Sequence, residues 1–229
     1  EIKSKESKLE RKNANFVKMI RNISHDLRTP LTSSLGYVSL MLESDISEQE
    51  KIKNLKIVEE RLLRLSELID SFFEFSKILS NNQVIELDEI NLVAVIEKAI
   101  SNHYEDFSKD NRIINFKTSQ RNVNIKSNEL MLTRVFDNLI RNAYKHSNGN
   151  LDIEVNKNND KIKIKFINDL LYNDLDVERI FDEFYTVDIS RTKGNTGLGL
   201  AIAKEFVEQL KGKINAEKKS NKLIITITF

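Results

Sequence analysis

The residue types best suited to chemistry occur first at residues 22–31, around the only proline of this 229-residue chain. Pro30 lies inside a pattern that otherwise predicts one long amphipathic helix, where a proline removes a backbone hydrogen bond and costs roughly 3 kcal/mol. His25, Asp26 and Thr29 provide a nucleophile, an acceptor beside it and a hydroxyl one turn further along the same helical face. A His–Asp pair on a helix is by itself commonly a solvated surface pair, so the interpretation depends on motifs elsewhere.

A second polar group lies on a helix predicted at residues 128–145. Asn138, Arg141, Asn142 and Lys145 follow helical spacing and therefore share one face. Amide oxygens suit a hydrated Mg2+, which keeps several waters and binds partly through substrate phosphates. Lys145 adds a point charge for a phosphate. The alternative is the polar outer face of an ordinary helix.

A third group contains three of the six glycines of the chain, Gly194, Gly197 and Gly199, just before another predicted helix. Glycines let a backbone approach a phosphate closely, and a helix N-terminus offers free N–H groups and a favourable dipole. Arg191 and Lys193 add positive charge just upstream. The alternative is an ordinary loop that leads into a helix.

The first 80 residues predict a helical hairpin that needs a partner. Apolar residues recur at helical spacing to about residue 42, and again from residue 52 to 79. Between the two runs, Ser47 and Glu50 form the pattern of a capping box. Two helices alone cannot enclose a core, so we expect two hairpins to pair as a dimeric four-helix bundle. The alternative is that the hairpin packs on the rest of its own chain.

Beyond a polar break at residues 80–82 the pattern changes to mixed strands and helices, which predicts an α+β sandwich. Gly212 is interpreted as the C′ glycine of the last helix. Strands are predicted at residues 84–87, 112–118, 151–155, 161–167, 213–216 and 223–229, and helices at 92–107, 128–145 and 198–210.

Composition excludes several classes of protein. The chain has no cysteine, which rules out disulfides, thiolate chemistry and zinc fingers, and its formal net charge is +1. The sequence contains no basic block with interleaved aromatic residues, the pattern that would indicate nucleic-acid binding. No apolar run approaches the roughly 18 residues that span a bilayer. The chain begins within a charged helical pattern without an initiator Met, so we expect a fragment whose N-terminal part is missing.

Together these motifs resemble the cytoplasmic kinase core of two-component sensor histidine kinases, and the resemblance extends over essentially the whole chain. Residues 25–30 resemble the H-box of that family, 138–145 the N-box, 180–185 the F-box and 194–200 the second glycine box. The last box and residues 185–188 look like those of low-GC Gram-positive bacteria.

The resemblance implies two domains. Residues 1–80 would form the all-α hairpin for dimerisation and histidine phosphotransfer, and residues 81–229 an α+β sandwich of the Bergerat ATP-binding type. It also implies the cytoplasmic domain of a bacterial cell-membrane protein, attached to the membrane only through the missing N-terminal region.

By the same resemblance His25 is the phosphoacceptor. Asp26 would accept the Nδ1 proton of His25, so that the lone pair on Nε2 attacks the γ-phosphoryl group of ATP. Thr29 would orient a hydrolytic water in a phosphatase reaction toward the partner. That partner is implied to be the receiver domain of a response regulator, with the kinase acting as a homodimer.

The family's nucleotide site carries over with one departure. Mg2+ would bind at Asn142. The positions implied to bind ATP are Asn138, Asn142, Lys145, His146, Asn168, Asp169, Arg191, Gly194, Gly197, Leu198 and Gly199. Where the family has Asp-x-Gly-x-Gly, this chain has Asn-Asp-Leu-Leu-Tyr at residues 168–172. Either Asn168 or Asp169 would contact the adenine, and the lost charge and glycines predict weaker ATP binding.

Three functions remain in competition. The first is an ATP-dependent protein histidine kinase. The second is a pseudokinase that acts only as a phosphatase or binding module, because the altered box prevents use of ATP. The third is an ATPase of the same fold of the chaperone or mismatch-repair type, against which the hairpin with His25 and Asp26 argues.

Overall fold

In the computed structural model the backbone is described for residues 2–44, 46–80, 85–158, 161–171, 175–183, 185–186 and 197–229. Side chains are described for the same residues apart from 2–19, 22, 74–75 and 77–80. The chain divides into two compact units, the first reaching Lys77 and the second beginning at Ile78.

The first unit is the predicted helical hairpin. Helix α1 spans Ile2–Glu43 and includes Pro30, and helix α2 spans Glu48–Ser80. The capping box is confirmed, because the Ser47 N–H donates to Glu50 Oε2 (3.1 Å) and the Glu50 N–H donates to Ser47 Oγ (3.3 Å). These reciprocal bonds satisfy two N–H groups at the start of α2 and fix where the second helix begins.

The second unit is the predicted α+β sandwich. Its helices are α3 (Leu92–Lys109), α4 (Glu129–His146) and α5 (Gly199–Gln209) among the described residues. Its strands are β1 (Asp88–Asn91), β2 (Ile114–Thr118), β3 (Asn124–Ser127), β4 (Leu151–Asn158), β5 (Lys161–Asp169), β6 (Lys213–Lys219) and β7 (Lys222–Thr228).

The larger sheet has five strands in the order β2-β4-β5-β7-β6, with β2 parallel to β4 and the other neighbours antiparallel. Strands β1 and β3 form a separate antiparallel pair.

The core lies between one face of the five-stranded sheet and the helices. On β5 the side chains at 162, 164, 166 and 168 are buried in alternation, as in a strand with one wet face. Phe166 stacks on Phe136 of α4, with ring centroids 6.0 Å apart. The inward residues predicted on α4 are all buried: Leu132, Val135, Phe136, Leu139 and Ile140.

The strand predicted at residues 84–87 is wrong. Residue 84 lies outside the described residues, 85–87 form no strand, and the pairing begins at Asp88. The partner of β1 is β3, whose polar sequence Asn-Ile-Lys-Ser contains one apolar residue and so gave no alternating signal. The apolar residues at 84–87 predicted the strand too early in the chain, because pairing with β3, rather than the local pattern, sets where β1 lies.

The role predicted for Gly212 is also wrong. The left-handed residue after α5 is Lys211, with φ 63°. The Gly212 N–H donates to the Val207 carbonyl (2.8 Å) and the Lys211 N–H to that of Glu208 (3.0 Å), which is a Schellman motif. A Cβ on Gly212 would lie 2.6 Å from the Phe229 ring. The glycine is therefore required by close packing and not by a left-handed conformation.

Candidate functional site

His25 lies in the middle of α1 with its side chain 76% exposed. Its Nδ1 is 3.1 Å from Asp26 Oδ1. A carboxylate at this distance favours the tautomer with the proton on Nδ1, which leaves the Nε2 lone pair directed to solvent. The geometry supplies an accessible nitrogen nucleophile with an acceptor for its second proton.

Two further residues shape this part of α1. The Thr29 hydroxyl donates to the His25 carbonyl (3.3 Å), so it lies one turn from His25 on the same face. Pro30 has no N–H and leaves the Asp26 carbonyl without its usual helical donor. The helix thus brings together His25, Asp26 and Thr29, the three candidate catalytic residues of the H-box.

The predicted nucleotide residues of α4 are positioned by a capped helix. The Asn128 side chain accepts a hydrogen bond from the Met131 N–H (3.0 Å) and starts α4. From this start, Asn138 and Asn142 are half-buried one turn apart, while Lys145 is exposed and His146 half-buried in the last turn. The face that carries both amides therefore borders the core, and the cation lies nearer to solvent.

The described part of the glycine box approaches Asn138. Gly197 has φ 66°, a conformation that glycine adopts without strain. Leu198 is fully buried at the N-cap position of α5, and an apolar side chain there cannot accept hydrogen bonds from the first turn of the helix. A Cβ on Gly199 would lie 3.2 Å from Asn138 Oδ1, so the start of α5 and the middle of α4 are in close contact. Gly194 and Arg191 lie outside the described residues.

Asn168 and Asp169 end strand β5. Asn168 is 4% exposed on the strand face that packs against α4, and its Nδ2 donates to the Asp169 carbonyl (3.0 Å). The Asp169 carboxylate lies against Gly149 in the turn after α4, where a Cβ would not fit. Sequence reasoning missed Gly149; the available signal was an isolated glycine in the short turn between a predicted helix and a predicted strand.

The amide chemistry fits Mg2+ bound together with a nucleotide. Asn138 and Asn142 offer neutral oxygens on one half-buried face. Among the described residues, no group of three or more His, Cys, Asp or Glu side chains could hold a metal ion by itself. Mg2+ commonly takes one or two protein ligands and completes its shell with phosphate oxygens and water. No helix within the described chain is long and apolar enough to cross a bilayer.

Two family models match the chain. Residues 17–81 match the His Kinase A (phospho-acceptor) domain. Residues 127–229 match the histidine kinase-, DNA gyrase B- and HSP90-like ATPase. The first match contains the H-box group and the second contains α4, β5 and α5.

Relatives extend the similarity across nearly the whole chain. The sensor protein VanS of Enterococcus faecium is 31% identical over an alignment of 226 positions, which covers 96% of this chain and 58% of VanS. The sensor protein kinase WalK of Staphylococcus epidermidis is 31% identical over an alignment of 235 positions, gaps included, which covers 98% of this chain and 38% of WalK. The chain thus spans between about two fifths and three fifths of these relatives.

Solved structures share the fold. The histidine kinase ThkA in complex with the response regulator protein TrrA has a TM-score of 0.77 and 25% identity, covering 99% of this chain and 65% of that one. The histidine kinase AdeS of Acinetobacter baumannii has a TM-score of 0.72 at 21% identity, covering 90% of this chain and 96% of that one. The chain belongs to the sensor histidine kinases, of which it is the phospho-acceptor and ATPase core.

Proposed function

We propose that this chain phosphorylates itself on His25 at the expense of ATP and passes the phosphoryl group to an aspartate on the receiver domain of a response regulator. The observation that carries the proposal is the exposed His25 ring with Nδ1 hydrogen-bonded to Asp26, within the matched phospho-acceptor domain. The proposed boundaries are residues 1–80 for dimerisation and phosphotransfer and 81–229 for ATP binding.

In the transfer step, His25 acts as the nucleophile and Asp26 is the acceptor for the proton on its Nδ1. The Nε2 lone pair of His25 forms a bond to the γ-phosphorus, and the bond from that phosphorus to the β–γ bridging oxygen breaks, so that ADP leaves with the electron pair. The ring gains positive charge as the new bond forms, and the Asp26 carboxylate stabilises that charge through its 3.1 Å contact with Nδ1. Positioning and charge neutralisation dominate such reactions.

The nucleotide is proposed to bind in the second unit, over the face of α4 that carries Asn138 and Asn142 and the start of α5. Asn142 would hold Mg2+, which supplies charge neutralisation at the phosphates when bound. Lys145 adds a fixed positive charge, and His146 lies at the end of the same helix for contact with the base. The first turn of α5, whose N-cap residue Leu198 provides no side-chain hydrogen bond, suits an anionic phosphate because the N–H groups and the dipole of a helix N-terminus favour negative charge.

The remaining proposed positions follow the family pattern. Asn168 or Asp169 would contact the adenine, and Gly197, Leu198 and Gly199 the phosphates. Arg191 and Gly194 would also contact the phosphates.

A homodimer is proposed because the hairpin leaves large apolar side chains exposed. Leu31, Leu35 and Val38 on α1, and Leu55 and Leu62 on α2, are between 37% and 61% exposed in the single chain. Burying such a stripe against a second hairpin gives about 25 cal/mol for each Å² removed from water. A four-helix bundle provides that burial.

The partner and location are proposed from the relatives. ThkA is seen with a response regulator, and the WalK and VanS relatives are sensor proteins much longer than this chain. We therefore propose the cytoplasmic part of a bacterial cell-membrane sensor, anchored through a region N-terminal to this chain. A phosphatase activity on the regulator is also proposed, with Thr29 orienting the water.

The test is incubation with γ-labelled ATP and Mg2+, followed by measurement of the acid lability and alkali stability of the label. We expect labelled protein that is acid-labile, and no label in His25→Ala, which should still bind ATP. Retained acid-labile label in His25→Ala would refute the assignment.

A second function is kept because residues 168–172 lack the usual glycines and leading aspartate. In that reading the chain is a pseudokinase that dephosphorylates its partner. Folded, dimeric protein without label and without Mg-ATP binding would favour it. The third function, a chaperone-type ATPase, lost support because residues 17–81 match the phospho-acceptor domain.

A further inference from the structure

The side chain of Arg112 is buried in the ATPase unit, between the end of α4 and the turn that follows it, and it has no role in the proposed function so far. It donates through Nη1 to the Tyr144 carbonyl (2.8 Å), through Nη2 to the Ala143 carbonyl (3.2 Å) and through Nε to the Gly149 carbonyl (2.8 Å). The Arg112 Cζ atom lies 4.7 Å from the centre of the Phe107 ring and 5.1 Å from the centre of the Tyr144 ring. A buried charge with this many partners is fixed in one orientation.

Two of the acceptors belong to the end of α4. The carbonyls of Ala143 and Tyr144 are among the last four of the helix, which have no intrahelical donor. A cation at this end also interacts favourably with the helix dipole. Burial lowers the pKa of Arg112, while the nearby Asp110 and Tyr144 raise it, and arginine stays charged throughout the ordinary pH range. The side chain therefore caps the helix end with a permanent charge.

The third acceptor lies in the turn that follows α4. Gly149 contacts the Asp169 carboxylate at the end of β5. The turn is held on its other side, because the Ile113 N–H donates to Asn150 Oδ1 (2.9 Å) and the Gly149 N–H to Ser147 Oγ (3.1 Å). One planar group thus ties the last turn of α4 to the turn that packs on β5.

We propose that Arg112 is a positioning residue for the nucleotide: it sets the last turn of α4, with Asn142 and Lys145, against the strand end that carries Asp169. This inference rests on the proposed ATP-binding function. Lysine cannot replace it, because one ammonium group cannot reach three carbonyls in a plane. The side chain itself touches no nucleotide atom in this proposal.

The experiment measures the dissociation constant for Mg-ATP of the full chain by calorimetry, with wild type, Arg112→Ala and Arg112→Lys. We expect both variants to bind at least about tenfold more weakly, since misplacement of a positioned group by about 1 Å can cost up to about a hundredfold. Methylguanidinium added to Arg112→Ala should restore affinity, whereas methylammonium should not. Asn91→Ala is the matched control, because Asn91 caps α3 by accepting from the Val93 N–H (3.2 Å) and its other hydrogen bonds are with residues 121–123.

A loss of affinity in Arg112→Ala that methylguanidinium reverses, with affinity retained in Asn91→Ala, supports the proposal. Equal affinity in wild type and Arg112→Lys overturns it, and so does a loss proportional to the loss of thermal stability in both Arg112→Ala and Asn91→Ala. If Arg112→Ala does not fold, Arg112→Lys decides, since it keeps the charge and most of the packing. Absence of Mg-ATP binding by wild type overturns the proposed function itself, which separates the two failures.

Discussion

Gly199→Ala should change nucleotide affinity without a matching loss of stability. The new Cβ would lie 3.2 Å from Asn138 Oδ1 and 3.8 Å from its Cγ, so the amide must move by a few tenths of an ångström. Gly199 is the first residue of α5, where alanine gains up to about 0.5–1 kcal/mol over glycine by losing less backbone entropy. The entropic gain from alanine stabilises the fold and the crowding of Asn138 destabilises it, so we expect the free energy of unfolding to stay within about 1 kcal/mol of wild type.

The expected effect on binding follows from the amide. If Asn138 contacts the Mg-nucleotide, its displacement weakens one hydrogen bond worth about 0.5–1.5 kcal/mol. At about 1.4 kcal/mol for each tenfold change, the dissociation constant for Mg-ATP should rise about two- to tenfold.

Gly212→Ala is the matched control. Its Cβ would lie 2.6 Å and 2.8 Å from two carbons of the Phe229 ring and 3.0 Å from Val207 Cγ1. Such overpacking costs about 1–3 kcal/mol, and each kcal/mol lowers Tm by about 2–4 °C in a chain of this size. The affinity of the folded protein for Mg-ATP should be unchanged. Thermal unfolding and calorimetric titration of both variants test the pair, and unchanged affinity in Gly199→Ala would refute the placement of Asn138 in the nucleotide site.

Three further changes test other parts of the chain. Asn142→Ala should remove the difference between nucleotide binding with Mg2+ and with EDTA, because it deletes the proposed ligand; an unchanged difference contradicts that role. Thr29→Ala should lower phosphatase activity on the phosphorylated regulator more than autophosphorylation, and equal losses would indicate a structural role. Ser47→Ala should destabilise the hairpin less at low pH than at neutral pH. Hydrogen bonds from Ser47 lower the pKa of Glu50 below its ordinary 4.5, so their contribution is present above that value and is lost as the pH falls through the lowered pKa. A pH-independent difference in thermal unfolding would contradict the last prediction.

The sequence predicted the long helices well, because their apolar spacing is strong and their ends carry local signals. Ser47 and Glu50 mark the start of α2, and the structure contains both hydrogen bonds of that box. The short pair β1 and β3 was misplaced or missed, since four-residue strands derive their stability from each other and not from local pattern. At the end of α5 the glycine at position 212 predicted the left-handed C′ residue there, but Lys211 adopts that conformation. A single lysine can be held in that conformation by the Schellman hydrogen bonds, which no residue type announces.

The residue types of the candidate site were proposed from the sequence, but the contacts among those residues could not be predicted from it. The loss of glycines after Asn168 suggested lost backbone freedom at the nucleotide, yet Gly149 provides a close approach from another segment, against the Asp169 carboxylate. That contact holds the carboxylate toward the turn after α4. Asn168 instead faces the helical layer, with its Nδ2 already donating to the Asp169 carbonyl and its Oδ1 left as the acceptor. Asn168 lies two residues beyond Phe166 on the same buried face of β5. The exocyclic amino group of adenine requires an acceptor, so we propose Asn168 rather than Asp169 as its contact. Because an amide oxygen lacks the charge of a carboxylate, the altered box favours weaker binding of ATP over its loss.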